Sequence, residues 1–133
     1  MSKESQLNGA LQSRGEVRSQ LTQALAGFRR HLRQRGHWEN TLVMTYSEFG
    51  RRALENQSRG TDHGTAAPHF LMGGRIAGGF YGDYPDLGDL DEGDLKFTMD
   101  YRAVYDRVLS DWFGLPDNSF RPFRDHRLDS LIS

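Results

Sequence analysis

Glu48, Asp62, His63 and His69 are the side chains of this sequence whose types could hold a metal ion, and Arg51 and Arg52 are those that could grip an anion. A carboxylate and imidazole set suits zinc, manganese or iron, whereas magnesium would rely on carboxylate and water. A guanidinium fork matches the oxygens of phosphate or sulfate. Adjacent Asp-His side chains point apart on an extended strand, but on a turn they converge or serve two metals. Gly60 and Gly64 permit such a turn. Plain structural alternatives stand beside each reading: an Asx-turn with a surface histidine for Asp62-His63, and surface ion pairs to Glu48 or Glu55 for the two arginines. Ser47 is a poor nucleophile. Ser47-Glu48-Phe49-Gly50 is not a Gly-x-Ser-x-Gly elbow, and no ordered His/Asp partners follow it.

The elements that must position these groups are legible in outline. Residues 41–46, Thr-Leu-Val-Met-Thr-Tyr, form an apolar β-rich run that predicts a buried strand, with Glu48 just beyond its carboxyl end. Ligand crevices of open α/β sheets lie at such ends. A polar loop is expected from there to Gly60-Thr61-Asp62-His63-Gly64. Upstream, Val17, Leu21, Ala24, Leu25, Phe28 and Leu32 recur at helical steps, and Gly36 fits the left-handed position after the helix. Downstream, Tyr101, Val104, Tyr105, Val108, Leu109, Trp112 and Phe113 share one face of a second helix. Thr98 is its expected N-cap, Asp100 lies in its first turn, and Gly114 and Pro116 stop it. Both helices are expected to pack on one side of a small sheet centred on residues 41–46. Residues 70–72 and 76–81 are further strand candidates, and 83–96 reads as a loop whose acids lack the EF-hand pattern.

The chain has 133 residues, no cysteine and a formal net charge of −1. Disulfides, thiolate catalysis and Cys-ligated zinc are therefore excluded. The arginines 29, 30, 33 and 35 crowd the end of the first helix, where the helix dipole accounts for them without a nucleic-acid partner. No stretch reaches the length of about 20 apolar residues that a membrane span needs, and residues 1–15 have no signal-peptide core. The expectation is a soluble, cytoplasmic chain that binds neither nucleic acid nor membrane.

Thr41-Leu-Val-Met-Thr-Tyr-Ser-Glu-Phe-Gly-Arg-Arg followed by Gly60-Thr-Asp-His-Gly-Thr-Ala-Ala-Pro resembles the sulfatase-like family known as domain of unknown function 1501. Gly79-Phe-Tyr-Gly-Asp-Tyr-Pro, Asp94-Leu-Lys-Phe-Thr-Met-Asp-Tyr-Arg-Ala-Val-Tyr and Trp112-Phe-Gly-Leu extend the likeness over residues 17–116. That family looks like a branch of the alkaline phosphatase and sulfatase superfamily, whose α/β/α sandwich carries a metal site at the strand ends. The resemblance implies an α/β fold corresponding to the C-terminal third of such a domain, with few strands and two main helices. Residues 1–16 would be a flexible leader and 117–133 a tail.

Superfamily members often carry Ser-Asp-His-Gly after the strand that residues 41–46 resemble. Here the carboxylate is Glu48 and Phe49 stands in the place of the imidazole. In that register His63 matches a later metal histidine with Asp62 beside it. The other register makes Asp62-His63 the Asp-His pair itself, but residues 55–60 do not read as the strand it would need. The resemblance thus implies Glu48, Asp62 and His63 as metal ligands and Arg51 and Arg52 as anion contacts. It gives no catalytic nucleophile and no upstream Gly-x-Asp-x-His motif. The expected function is that of a C-terminal segment of a metal-dependent phospho- or sulfo-ester hydrolase, inactive alone, with zinc, manganese or magnesium held weakly. The alternative is a non-catalytic, truncated or split protein that acts by docking to a complementary N-terminal segment or by self-association.

Overall fold

A computed structural model describes the backbone of residues 3–133 and the side chains from residue 15 onward. The chain divides into two compact units, Met1–Thr41 and Leu42–Ser133. The architecture is mixed α/β: two helices and several short antiparallel strands in small sheets, as a partial α/β domain requires. No helix among the described residues is long and apolar enough to cross a membrane.

The first unit is dominated by helix α1, Lys3–Gln34, which is followed by a 3₁₀ turn at Trp38–Asn40. Most of the leader expected over 1–16 falls within this span; Met1 and Ser2 lie outside the described residues. Gly36 ends the helix as expected, at φ +71°. His37 N–H bonds to the Leu32 carbonyl at 2.9 Å and Gly36 N–H to that of Arg33 at 3.1 Å, the paired bonds of a Schellman stop. The expected apolar stripe is present but stays largely in solvent. Val17, Leu21 and Phe28 are 64%, 60% and 47% exposed, and only Leu25 and Leu32 are half-buried.

In the second unit, β1 (Leu42–Met44) pairs antiparallel with β4 (Leu71–Gly73), placing Met44 opposite Leu71. The buried run expected over 41–46 is thus shorter, half-buried and without parallel neighbours. Its apolar residues touch the core on one side only, and Tyr46 is 79% exposed. The strand expected over 76–81 reduces to one bridge, Ile76 to Ile132, because the edge at residue 76 pairs with the chain's last residues. The loop expected over 83–96 contains a small hairpin, β5 (Leu90–Asp91) with β6 (Asp94–Leu95), turned at Glu92 and Gly93, both at positive φ.

Helix α2 spans Tyr101–Arg107 and continues as a π-helical turn, Val108–Trp112, before Gly114 at φ +69°. Its N-cap is Asp100, whose carboxylate accepts the Arg102 N–H at 2.9 Å; Thr98, expected there, instead donates its hydroxyl to the Asp83 carbonyl at 3.0 Å. Ala103 and Val108 of this helix form the core with Leu128, Leu131 and Ile132. Leu42, Met44, Leu71, Ile76 and Trp112 pack around them. Leu42, Met44 and Leu71 of the β1–β4 sheet thus pack against a core in which the segment after residue 117 supplies three of the five buried residues.

Asp100 and Asp125 each cap a helical turn and each meet an arginine two residues on. Side-chain hydrogen bonds from Arg102 and Arg127 hold these carboxyls below the usual carboxylate range, helped by the backbone amides they cap and opposed by partial burial. A depressed folded-state value means stabilisation that is complete above the unfolded value, near pH 4, and lost as the pH falls through the folded value. Thermal melts from pH 6 to pH 2.5 should show a steeper acid loss for the wild type than for the Asp100→Asn/Asp125→Asn double variant. Asn keeps the caps and removes the charges, and parallel curves for the two proteins would rule this linkage out.

Candidate functional site

The sequence-predicted site residues fall on and around one antiparallel hairpin, β2 (Gly50–Glu55) with β3 (Thr61–Gly64). The polar stretch after Glu48 therefore folds as strand, turn and strand rather than as an open loop. Asn56 builds the turn: its side-chain oxygen accepts the N–H groups of Ser58 and Gly60, each at 3.0 Å, and its own N–H bonds to the Gly60 carbonyl at 2.9 Å. The left-handed position is taken by Arg59, at φ 59°, and not by Gly60 or Gly64.

Glycine is needed in this hairpin for close approach. Gly50 lies opposite Gly64, and a Cβ on Gly50 would overlap the main chain of Ala66. A Cβ on Gly64 would come within 2.8 Å of the Arg52 nitrogen and an Asp94 carboxylate oxygen. These contacts bring β2, the Ala66 backbone and β6 together. They also fix which residues share a face.

Arg51 and His63 are cross-strand partners. Phe49, two residues before Arg51, stacks on the His63 imidazole with ring centroids 3.5 Å apart and planes 11° from parallel. The Arg51 guanidinium carbon lies 5.2 Å from the Phe49 centroid, and one of its N–H groups donates to the Thr61 carbonyl at 2.9 Å. Arg51 and His63 are exposed, and Phe49 is 36% exposed. The result is an outward row of a cation, an aromatic face and an imidazole.

The other candidates sit elsewhere. Asp62 and His63 are neighbours on an extended strand, so the pleat sends their side chains to opposite faces. Asp62 accepts a hydrogen bond from the Asn56 side-chain amide at 2.8 Å. Glu48 is exposed, and His69 lies against the Thr45 carbonyl at 3.1 Å through Nδ1. Arg52, expected as an anion contact, donates to the Glu92 carbonyl at 2.7 Å and meets Asp94 at 3.4 Å; it pins the β5–β6 turn to β2. Ser47 donates its hydroxyl to the Phe49 carbonyl at 2.7 Å, a local turn bond. No group of three or more carboxylate or imidazole side chains among the described residues is gathered as a metal site would gather them. The three proposed ligands do not converge on a point beside Arg51.

Sequence reasoning took Phe49 only as the residue standing where an imidazole was expected. Its period-two spacing from Arg51 was the signal that both share one face once 50–55 is a strand. Asp94 belongs to the stretch 83–96 that reads as a loop, and nothing in the local sequence marks it as the partner of Arg52.

The stacked pair predicts a spectroscopic signature. The His63 ring protons should be shifted upfield by the Phe49 ring current, and Phe49→Leu should return them to ordinary histidine positions in proton–carbon correlation spectra. Unshifted His63 signals in the wild type would show that the stack does not form in solution. Gly50→Ala should lower stability by at least about 1–3 kcal/mol, the usual cost of forcing atoms into a filled space. Gly27→Ala in α1, where a Cβ meets nothing within 4 Å, should instead stabilise or leave the chain unchanged. Denaturant unfolding of the two variants checks both signs.

Residues 6–125 match the family described as Protein of unknown function (DUF1501). Neither the curated proteins nor the solved structures contain a match to the chain. With the family match covering all but the ends of the sequence, and the expected motifs lying on the β1, β2–β3 and α2 elements, the chain belongs to the DUF1501 family.

Proposed function

We propose that this chain supplies the anion-recognition face of a sulfatase-like, metal-dependent phospho- or sulfo-ester hydrolase, and that it does not turn over ester by itself. The observation that carries the reading is the exposed row of Arg51, Phe49 and His63 on one face of the β2–β3 hairpin. Arg51 spends one N–H on the Thr61 carbonyl and keeps the others for an acceptor. His63 adds a ring nitrogen on the same face, and Phe49 holds that ring flat. Together they can bind and orient a tetrahedral anion. Arg52 is not part of this face, since Glu92 and Asp94 occupy it.

Among the described residues, no set of side chains forms a metal shell on its own. Asp62 faces away from His63 and is held by Asn56, and Glu48 joins neither in a cluster. In the proposed assembly, zinc, manganese or magnesium would be held only once a complementary polypeptide segment, or a second copy of the chain, adds further ligands. Polypeptide is preferred over nucleic acid or membrane as the companion because the chain carries a net charge of −1 and exposes large apolar side chains. Tyr46, Phe80, Tyr84 and Leu54 are each more than two-thirds exposed.

Two measurements separate the parts of this reading. Sulfate and phosphate titrations should move the Arg51 and His63 signals, and Arg51→Ala should weaken the binding by roughly tenfold, as loss of a charge-assisted hydrogen bond implies. Anions that perturb neither residue would remove the recognition role. The purified chain should hydrolyse aryl phosphate and aryl sulfate no faster than its His63→Ala variant with any of the three metals added. Metal-dependent turnover that disappears in His63→Ala would show that this chain is a complete enzyme.

A further inference from the structure

The last sixteen residues behave as a bound peptide. Residues 118–133 contain only two 3₁₀ turns, Arg121–Phe123 and His126–Leu128, yet they bury Leu128, Leu131 and Ile132 to 2%, 4% and 8% exposure. The main chain is read as a strand would be. Ala77 N–H donates to the Leu131 carbonyl and Ser133 N–H to the Arg75 carbonyl, both at 3.0 Å, with Ile76 and Ile132 bridged antiparallel between them. Arg75 closes the end: its Nε donates to the Ser133 main-chain oxygen at 2.6 Å, its Nη2 to the Asp111 carbonyl at 3.0 Å, and its guanidinium stacks over Trp112.

Polar recognition is equally specific. Asp106 of α2, with no exposed surface, accepts a hydrogen bond from the Asn118 amide at 3.0 Å. Arg107, 2% exposed, is met by the Asp129 carboxylate. Before this segment lies an exposed connection over residues 114–117, with Gly114 at positive φ and a proline at 116. The family match ends at residue 125, short of all three buried apolar residues.

We propose that α2 and the edge at residues 75–77 form a peptide-binding groove that works by β-addition, with residues 118–133 as its occupant in cis and the same segment of a second copy as its partner in trans. The groove recognises an apolar residue at position 128, an acid at 129 and an apolar pair at 131 and 132. Two main-chain bonds flanking the single Ile76–Ile132 bridge supply affinity, as in strand addition on a minimal scale, and the pockets for Leu128, Leu131 and Ile132 supply selectivity. Exchange of an identical element needs only that the connection swing out, since every contact is reproduced in the partner.

A protease site inserted between Pro116 and Asp117 of the full chain tests this. After cleavage the fragment carrying residues 117–133 should co-elute with that carrying residues 1–116 on size exclusion, and a fluorescent synthetic copy of 118–133 should exchange into the nicked protein. The same peptide with Ile132→Asp should compete roughly 100-fold more weakly, because it places a charge in an apolar pocket. Arg75→Gln in the nicked protein should speed release of the wild-type peptide. Loss of the peptide on cleavage, whether or not the remainder stays folded by circular dichroism, would overturn the proposal. Equal competition by the wild-type and Ile132→Asp peptides would overturn it as well.

Discussion

Asp106 and Arg107 are adjacent on α2, and both are almost wholly removed from water. Taking an ion out of water costs several kcal/mol unless partners replace its hydration. Those partners come mainly from one place. Asp106 receives Asn118 and the more distant Arg121 in addition to Ser110 one turn away, and Arg107 receives Asp129 in addition to Asp111. Removing one partner from a buried pair typically costs about 3–5 kcal/mol, a large part of the roughly 5–15 kcal/mol that holds a domain folded. The C-terminal segment therefore supplies most of the partners of these two ions, while Asp106 Oδ2 and Arg107 Nε stay without a hydrogen bond. Once it is drawn in, Leu128, Leu131 and Ile132 complete the core and the edge at residue 76 is capped.

That dependence explains what the sequence could and could not reveal. The helix stops at Gly36 and Gly114, the apolar run of β1 and the amphipathic face of α2 are local signals, and each was legible. Asp100 instead of Thr98 as the cap is a two-residue shift decided by which side-chain oxygen reached the Arg102 amide; the Thr98 hydroxyl is spent on the Asp83 carbonyl. The tail was illegible because its apolar residues, at 128, 131 and 132, follow neither a helical nor an alternating period; they answer to pockets made by distant elements. Continuous hydrophobicity over 41–46 reads as a buried strand, yet three apolar residues suit a half-covered antiparallel pair equally well.

The candidate site divides in the same way. Residue types were readable, so Arg51 and His63 were singled out and do face each other across the hairpin. Geometry was not readable. The segment Arg-Arg-Ala-Leu-Glu has little β character, and its strand is imposed by the Gly50 and Gly64 crossing and by the Asn56 turn. Once 61–64 is a strand, Asp62 and His63 must diverge, and the Asx-turn is made not by Asp62 but by Asn56, whose side-chain amide holds the Asp62 carboxylate. The same pleat separates Arg51, exposed beside Phe49, from Arg52, committed to Glu92 and Asp94.

Apolar exposure recurs in both units, each considered by itself. In α1 the stripe of Val17, Leu21 and Phe28 follows the helical period but stays in solvent. A helix that gains little from burial is held by propensity and local pairs, such as the Gln23 side-chain amide on the Ser19 hydroxyl, which add only tenths of a kcal/mol. In the second unit the exposed side chains are aromatic and lie outside the core that α2 and the tail enclose, among them Phe80 at 90% and Tyr84 at 81%. Scattered exposed apolar residues are ordinary on any protein. A periodic stripe is different, because periodicity has no use on a surface that faces only water. The stripe on α1 is thus the more regular of the two apolar surfaces, and it is separate in sequence from the anion-binding face proposed for the hairpin.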